Sequence, residues 1–180
     1  MSEEILKVDS VRMLIIVLSA IAVFSPVSVY GVACQKPEPL FIVERSKNKN
    51  TVHYDVCIGN DDDMSGIAPV TAYWIMESGK KEELNKLERE YAYGIAKQEM
   101  LGQNRVRINI VSMKERAITV EKVGDRYKAV ALIDGKESIL EKVYIKSHEL
   151  IIGLPRVEFI DLSGRTRAED LPVNERIVKH

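Results

Sequence analysis

From about residue 39 onward the chain alternates apolar and polar positions with period two, as strands buried on one face do. Phe41-Ile42-Val43 opens a first strand, and Thr51 to Ile58 makes a second after the polar break Ser46 to Asn50. Val70 to Met76, entered through Pro69, is apolar, β-branched and aromatic, and reads as buried on both faces. Tyr93-Gly94 leads into a strand that ends near Met100. Val106, Ile108 and Ile110 then interleave with Arg105, Arg107 and Asn109. Ala117 to Val123, Arg126 to Ile133 and Lys136 to Lys146 continue the series. Gly124-Asp125 marks one tight turn. Asp134-Gly135 marks a better one, because both central residues of a type I′ hairpin need positive φ. Val157 to Leu162 is a last strand, stopping at Ser163-Gly164. Arg165 to His180 reads either as a frayed tail or as a short strand around Glu175 to Val178.

One segment, about 83–91, has helical spacing instead. Leu84, Leu87 and Tyr91 fall on one face at i, i+3 and i+7, and Glu82, Lys86 and Glu90 are spaced by four. The pattern predicts a mainly β protein, an antiparallel meander of roughly nine strands closing as a barrel or a sandwich, with one short helix.

The N-terminus departs from this pattern. Met13 to Phe24 is an unbroken apolar or small run, and no charge follows until Lys36. Its length matches the apolar region of a secretory signal, about 7–15 residues, rather than a membrane span of roughly 20. Residues 1–33 are therefore expected to be a signal peptide, or an N-terminal anchor if uncleaved, and 34–180 a single β-rich domain with its core at about 39–164. The product is placed outside the cytoplasm, periplasmic or extracellular. Contact with the membrane is expected only through the N-terminal segment or a lipid on Cys34, because Gly31-Val32-Ala33-Cys34 is a poor version of a lipoprotein box. Cys34 and Cys57 are the two cysteines of the chain. Either they form a disulfide in an oxidising compartment or Cys34 is lipidated and Cys57 stays a thiol.

Removing 1–33 takes away three acids and two bases from a chain of net charge −1, which leaves a formally neutral domain. A neutral domain has no global field to hold DNA or RNA, so nucleic acid is not an expected partner. His53, His148 and His180 show no metal spacing, and Asn60-Asp61-Asp62-Asp63 reads as a solvated hairpin tip rather than a calcium loop. Neither metal nor cofactor is expected, and no nucleophile elbow or phosphate loop is present.

The candidate chemistry sits at strand ends. Arg45 offers a planar fork of donors, Lys47 a point charge, and Asn48 and Asn50 both donors and acceptors. Such a loop can hold an anionic or sugar-like ligand, or it can be ordinary turn chemistry. Glu88 and Arg89 lie on the helix, and Glu88 paired with Arg45 would hold that helix on the sheet. Trp74 and Tyr93 would give an apolar wall, with a core anchor as the alternative for Trp74.

Three stretches carry a resemblance. They are Arg45-Ser46-Lys47-Asn48-Lys49-Asn50 followed by Val52, Tyr54 and Asp55, then Pro69-Val70-Thr71-Ala72-Tyr73-Trp74-Ile75, and Leu84-Asn85-Lys86-Leu87-Glu88-Arg89 running into Ala92-Tyr93-Gly94. Lys114-Glu115-Arg116, Val143-Tyr144 and Val157 to Gly164 add to it. Together they resemble an uncharacterised bacterial domain family of unknown function, found mainly in exported proteins. That resemblance implies no activity, cofactor or catalytic residue.

The expected function is an exported, non-catalytic β domain that binds a small or envelope-derived ligand. Arg45, Lys47, Asn48, Asn50, Trp74, Glu88, Arg89 and Tyr93 would form one site. The alternatives are a cell-envelope interaction module without a small-molecule site, and an uncharacterised enzyme using Glu88.

Overall fold

The computed structural model describes Cys34, residues 36–149 and residues 155–179; the expected leader, 1–33, lies outside them. Eleven strands form one sheet, curled into a half-barrel. They are β1 (Lys36–Arg45), β2 (Asn48–Ile58), β3 (Val70–Ile75), β4 (Lys81–Glu83), β5 (Ile95–Gly102), β6 (Arg105–Ile110), β7 (Ile118–Val123), β8 (Arg126–Ile133), β9 (Lys136–Glu149), β10 (Pro155–Thr166) and β11 (Pro172–Val178). Among the described residues one α-helix, α1 (Lys86–Tyr91), interrupts them.

The strand order is β4-β3-β2-β1-β9-β8-β7-β6-β5, with β10 and β11 added beside β9. Two antiparallel meanders, β1 to β4 and β5 to β9, are thus joined by one parallel pair, Ile42 to Arg45 of β1 against Lys142 to Ile145 of β9. β9 can serve several partners because it is long. It pairs β8 over Lys136 to Ile139, then β1, while β10 runs against it from Ser138 to Glu149.

Period-two patterning explains the interior. Val52, Tyr54 and Val56 of β2, Val106, Ile108 and Ile110 of β6, and Ile118 and Val120 of β7 all point inward and are fully buried. Phe41 stacks on Tyr54 with ring centroids 4.4 Å apart. The concave face of the half-barrel is therefore filled with side chains. The expected Asp134-Gly135 hairpin is formed, with φ of 51° and 71°.

The C-terminal part differs from the sequence expectation. β10 does not stop at Ser163-Gly164 but runs to Thr166, and β11 follows it as a paired strand rather than a frayed tail. Gly164 reads as a breaker in sequence, yet here it serves close approach. A Cβ at Gly164 would lie 2.1 Å from the Ile139 carbonyl oxygen of β9. β11 is then fastened by Glu175, which accepts from Arg116 Nη2 at 2.5 Å and from the Asp134 backbone N–H at 2.8 Å. Val173 joins the core.

β4 has three residues, too few to show a period, and was not expected. The helix begins at Lys86 rather than near 83, because Glu82 and Glu83 are in β4. Its expected apolar face is also wrong. Leu87 and Tyr91 are 68% and 75% exposed, and of the three only Leu84, which precedes the helix, is buried.

Candidate functional site

Trp74 organises the corner where β1, β3 and α1 meet. It is 4% exposed, so it is a core anchor and not an open platform. Its indole N–H donates to Glu88 Oε2 at 3.0 Å. The Arg45 guanidinium lies 4.5 Å from its ring centroid, and Tyr93 meets it edge-on at 5.0 Å. The Tyr54 hydroxyl donates to the Tyr93 carbonyl, and burial pushes the Tyr54 phenol far above its ordinary pKa.

Glu88 has a second task. Its Oε2 accepts the Asn85 backbone N–H at 3.0 Å, and Asn85 Oδ1 accepts the Glu88 N–H at 3.0 Å, forming a capping box. This box, with the indole bond, holds a six-residue helix that has no buried residue of its own. The expected Glu88–Arg45 pair is absent; both side chains meet Trp74 instead. Adjacent Arg89 points elsewhere, since successive helix residues are about 100° apart. It donates through Nη2 to the Leu84 carbonyl at 3.0 Å.

The Arg45 to Asn50 loop spends much of its polarity on the fold. Arg45 Nε donates to Asn48 Oδ1 at 3.0 Å, and the same oxygen accepts from Asn50 N at 3.1 Å. Asn50 Oδ1 accepts from the Glu77 N–H at 2.9 Å, tying β2 to the β3–β4 turn. Ser46 and Lys47 form the turn between β1 and β2, and Lys47 is exposed. The candidate residues therefore divide. Arg45, Trp74, Glu88 and Tyr93 share one corner, Asn48 and Asn50 belong to the loop, and Arg89 faces a separate cleft. Arg116 is bound to Glu175 elsewhere in the fold.

That cleft, of about 320 Å³, lies where the half-barrel fails to close. Val70, Thr71, Ala72, Glu83, Leu84, Arg89, Gly94, Ile95 and Gln98 line it. On one side is the outer edge of β3, where β4 pairs only Tyr73 to Ile75. On the other is β5, which pairs β6 alone. The Gln98 amide spans the gap, donating to the Val70 carbonyl at 2.8 Å and accepting the Val70 N–H at 3.1 Å. A side chain thus makes the contacts that a neighbouring strand would make.

Sequence reasoning missed the polar outer face of β2 and β3, because it took Val70 to Met76 as buried on both sides. Thr71 is exposed and Tyr73 half-buried. Tyr73 donates to Asp55 Oδ2 at 2.6 Å, His53 stacks on Tyr73 at 5.8 Å, and Lys81 Nζ sits 3.5 Å from the same ring centroid. Asp55 is 5% exposed and its Oδ1 has no hydrogen-bond partner among the described residues. Burial lowers the His53 pKa, with Asp55 partly offsetting that and Lys81 adding to it. Burial also raises the Tyr73 phenol, and the bond to Asp55 raises it further. The spacing of Thr51, His53 and Asp55 at i, i+2 and i+4 was the available signal.

Gly94 closes the helix onto β5. A Cβ there would lie 1.9 Å from the Arg89 carbonyl oxygen, a backbone atom that cannot swing aside. Gly94→Ala is expected to displace α1 and lower stability by about 1–3 kcal/mol, measurable by urea denaturation. Wild-type stability in that variant would show that α1 adjusts without cost.

Cys34 and Cys57 are joined in a disulfide, so the bridge rather than the free thiol is the arrangement found. No helix among the described residues is long and apolar enough to cross a membrane. No characterised protein and no solved structure shows detectable similarity to the chain. A family profile described as a domain of unknown function matches residues 41–176, which takes in the second half of β1, all of β2 to β10 and most of β11. The chain belongs to that family, DUF4833.

Proposed function

We propose that this protein is an exported, non-catalytic binding module that captures a small anionic ligand in the seam cleft beside Arg89. One observation carries the reading. Arg105, Arg107, Arg116, Arg126, Arg165, Arg167 and Arg176 each meet a carboxylate within 4.0 Å. Arg45 is engaged by Asn48 and the Trp74 ring, and Arg156 stands exposed on β10, outside the cleft lining. Arg89, which lines an open cleft, meets no carboxylate among the described residues. A guanidinium with spare donors in a partly enclosed site is suited to a carboxylate or phosphate. The cleft is at the lower end of small-molecule sites, about 300–1,000 Å³. The filled interior argues against a ligand held inside the half-barrel, as in lipocalin-like barrels. Glu88, the candidate for catalysis, is occupied by the indole and the helix cap. The apolar N-terminal run and the disulfide support export.

The test is an amide NMR titration with N-acetylalanine, a monocarboxylate. Shifts are expected at Thr71, Ala72, Gln98 and the Arg89 side chain. Arg89→Gln should weaken binding about tenfold with the melting temperature nearly unchanged, a loss equal to about 1.4 kcal/mol. Shifts confined to other surfaces would refute the assignment. A second reading, an envelope interaction module, draws on Leu87 and Tyr91, which α1 presents to solvent.

A further inference from the structure

The cleft holds an acid as well as a base. Glu83 lines it with Arg89, yet the two do not pair with each other, and Glu83 has no ion-pair or hydrogen-bonding side-chain partner among the described residues. Opposite charges that face one cleft without meeting leave a site of zero net charge with two separated poles. A simple anion satisfies only the basic one.

The acidic pole is Glu83, which stands opposite Tyr73 in the β3–β4 register. Asp55 lies one strand further back, opposite Thr71 in the β2–β3 register, buried and outside the cleft lining. Lys81, on β4 with Glu83, is held over the Tyr73 ring. The basic pole is Arg89, with Nη2 fixed on Leu84 and its remaining donors open.

Between the poles lies peptide-like recognition. Backbone polarity alternates along β3. Val70 bonds outward to Gln98, and Met76, just past the strand, bonds outward to Lys80. Trp74 and Ala72 share that side by period two, and Ala72 is one position past the last β3–β4 pair. Its N–H therefore faces the seam where β4 has left the edge. An amide placed there finds a backbone edge on one side and the Gln98 carboxamide on the other.

The geometry points to a zwitterion as the occupant, a free α-amino acid or short peptide. Its ammonium would lie toward Glu83, its carboxylate on Arg89, and its peptide bond along Ala72. This rests on the proposed anion site and goes beyond it, because it assigns Glu83 a role that a simple anion leaves unused.

The experiment compares alanyl-alanine, N-acetyl-alanyl-alanine and alanyl-alaninamide by calorimetry and amide NMR on the disulfide-bonded domain. The free dipeptide is expected to bind at least about tenfold tighter than either blocked form. Glu83→Gln should remove its advantage over the acetylated form while leaving acetylated binding unchanged or tighter. Arg89→Gln should weaken both and leave the amide little affected. If the acetylated dipeptide binds wild type as well as the free one, through Arg89, the zwitterion inference falls and the anion site stands. If none of the three perturbs the cleft, both fall. A Glu83→Gln domain with unchanged melting temperature confirms that its effect comes from the site and not from unfolding.

Discussion

Trp74→Ala is expected to lower stability by about 3–5 kcal/mol, the range for removing a large buried aromatic. Trp74 does more than fill space. It is the shared partner of Arg45, Glu88 and Tyr93, which come from β1, from α1 and from the residue before Gly94. Truncation leaves a cavity under β3 and removes the indole donor from Glu88. Trp74→Phe separates the two effects, since it keeps most of the volume and loses only the hydrogen bond. It should cost about 1–2 kcal/mol, because a bond to a carboxylate that is partly solvated carries less than a buried one. Against a typical total of about 5–15 kcal/mol, the alanine variant should be partly unfolded near body temperature. Urea denaturation followed by far-UV circular dichroism measures both, because the variants lack the chain's single tryptophan. A Trp74→Ala domain within about 1 kcal/mol of wild type would show that this corner does not hold the helix to the sheet.

The same corner shows what was readable in the sequence. Strands with one wet face announced themselves, since Val106, Ile108 and Ile110 against Arg105, Arg107 and Asn109 admit only one placement. The Asp134-Gly135 turn was equally legible because few residue pairs tolerate its dihedrals. β4 was not, since three residues carry no period. The helix misled because Leu84, Leu87 and Tyr91 fit an apolar stripe, whereas α1 is held by polar contacts, the capping box and an indole bond. Gly164 misled because a glycine that allows two backbones to approach looks in sequence like one that ends a strand.

The site was legible in part for a related reason. Residue type alone picked out Arg45, Glu88 and Arg89 as notable, and the fold brings Arg45 and Glu88 together on Trp74 while it turns Arg89 into the cleft. Which of them is free to act depends on partners far away in sequence. Glu88 is claimed by Trp74 and Arg45 lies on the same ring, so Arg89 keeps open donors. Glu83 carried no motif, and Asp55 stood out only by its place in the Thr51, His53, Asp55 alternation. Their interest comes from the end of the β3–β4 register and from burial, neither of which a single sequence displays.

Reducing the Cys34–Cys57 bridge is expected to lower stability by about 3 kcal/mol, the chain-entropy value for a loop of this size. The bridge matters because the start of β1 is weakly built. Lys36 to Pro39 pairs with Asp55 to Ile58, yet Pro37 and Pro39 have no N–H to give to the ladder. Other fastenings there are exposed: Lys36 with Asp62 at 2.5 Å, and Arg126 with Glu38 at 3.1 Å. Exposed pairs contribute about 0–1 kcal/mol, so they cannot replace the covalent link. Urea melts with and without a reductant, and of Cys34→Ser/Cys57→Ser, should give the same loss. Thermal melts should fall by roughly 10 °C at this domain size. The destabilisation should begin at Lys36 to Pro39 and reach Asp55, whose neighbours on β1 would then be released. Hydrogen exchange reads this directly, with Asp55 to Ile58 losing protection before the β6–β8 core. Equal stability of the oxidised and reduced domains would mean that strand pairing alone holds β1, and would remove the disulfide from the argument for export.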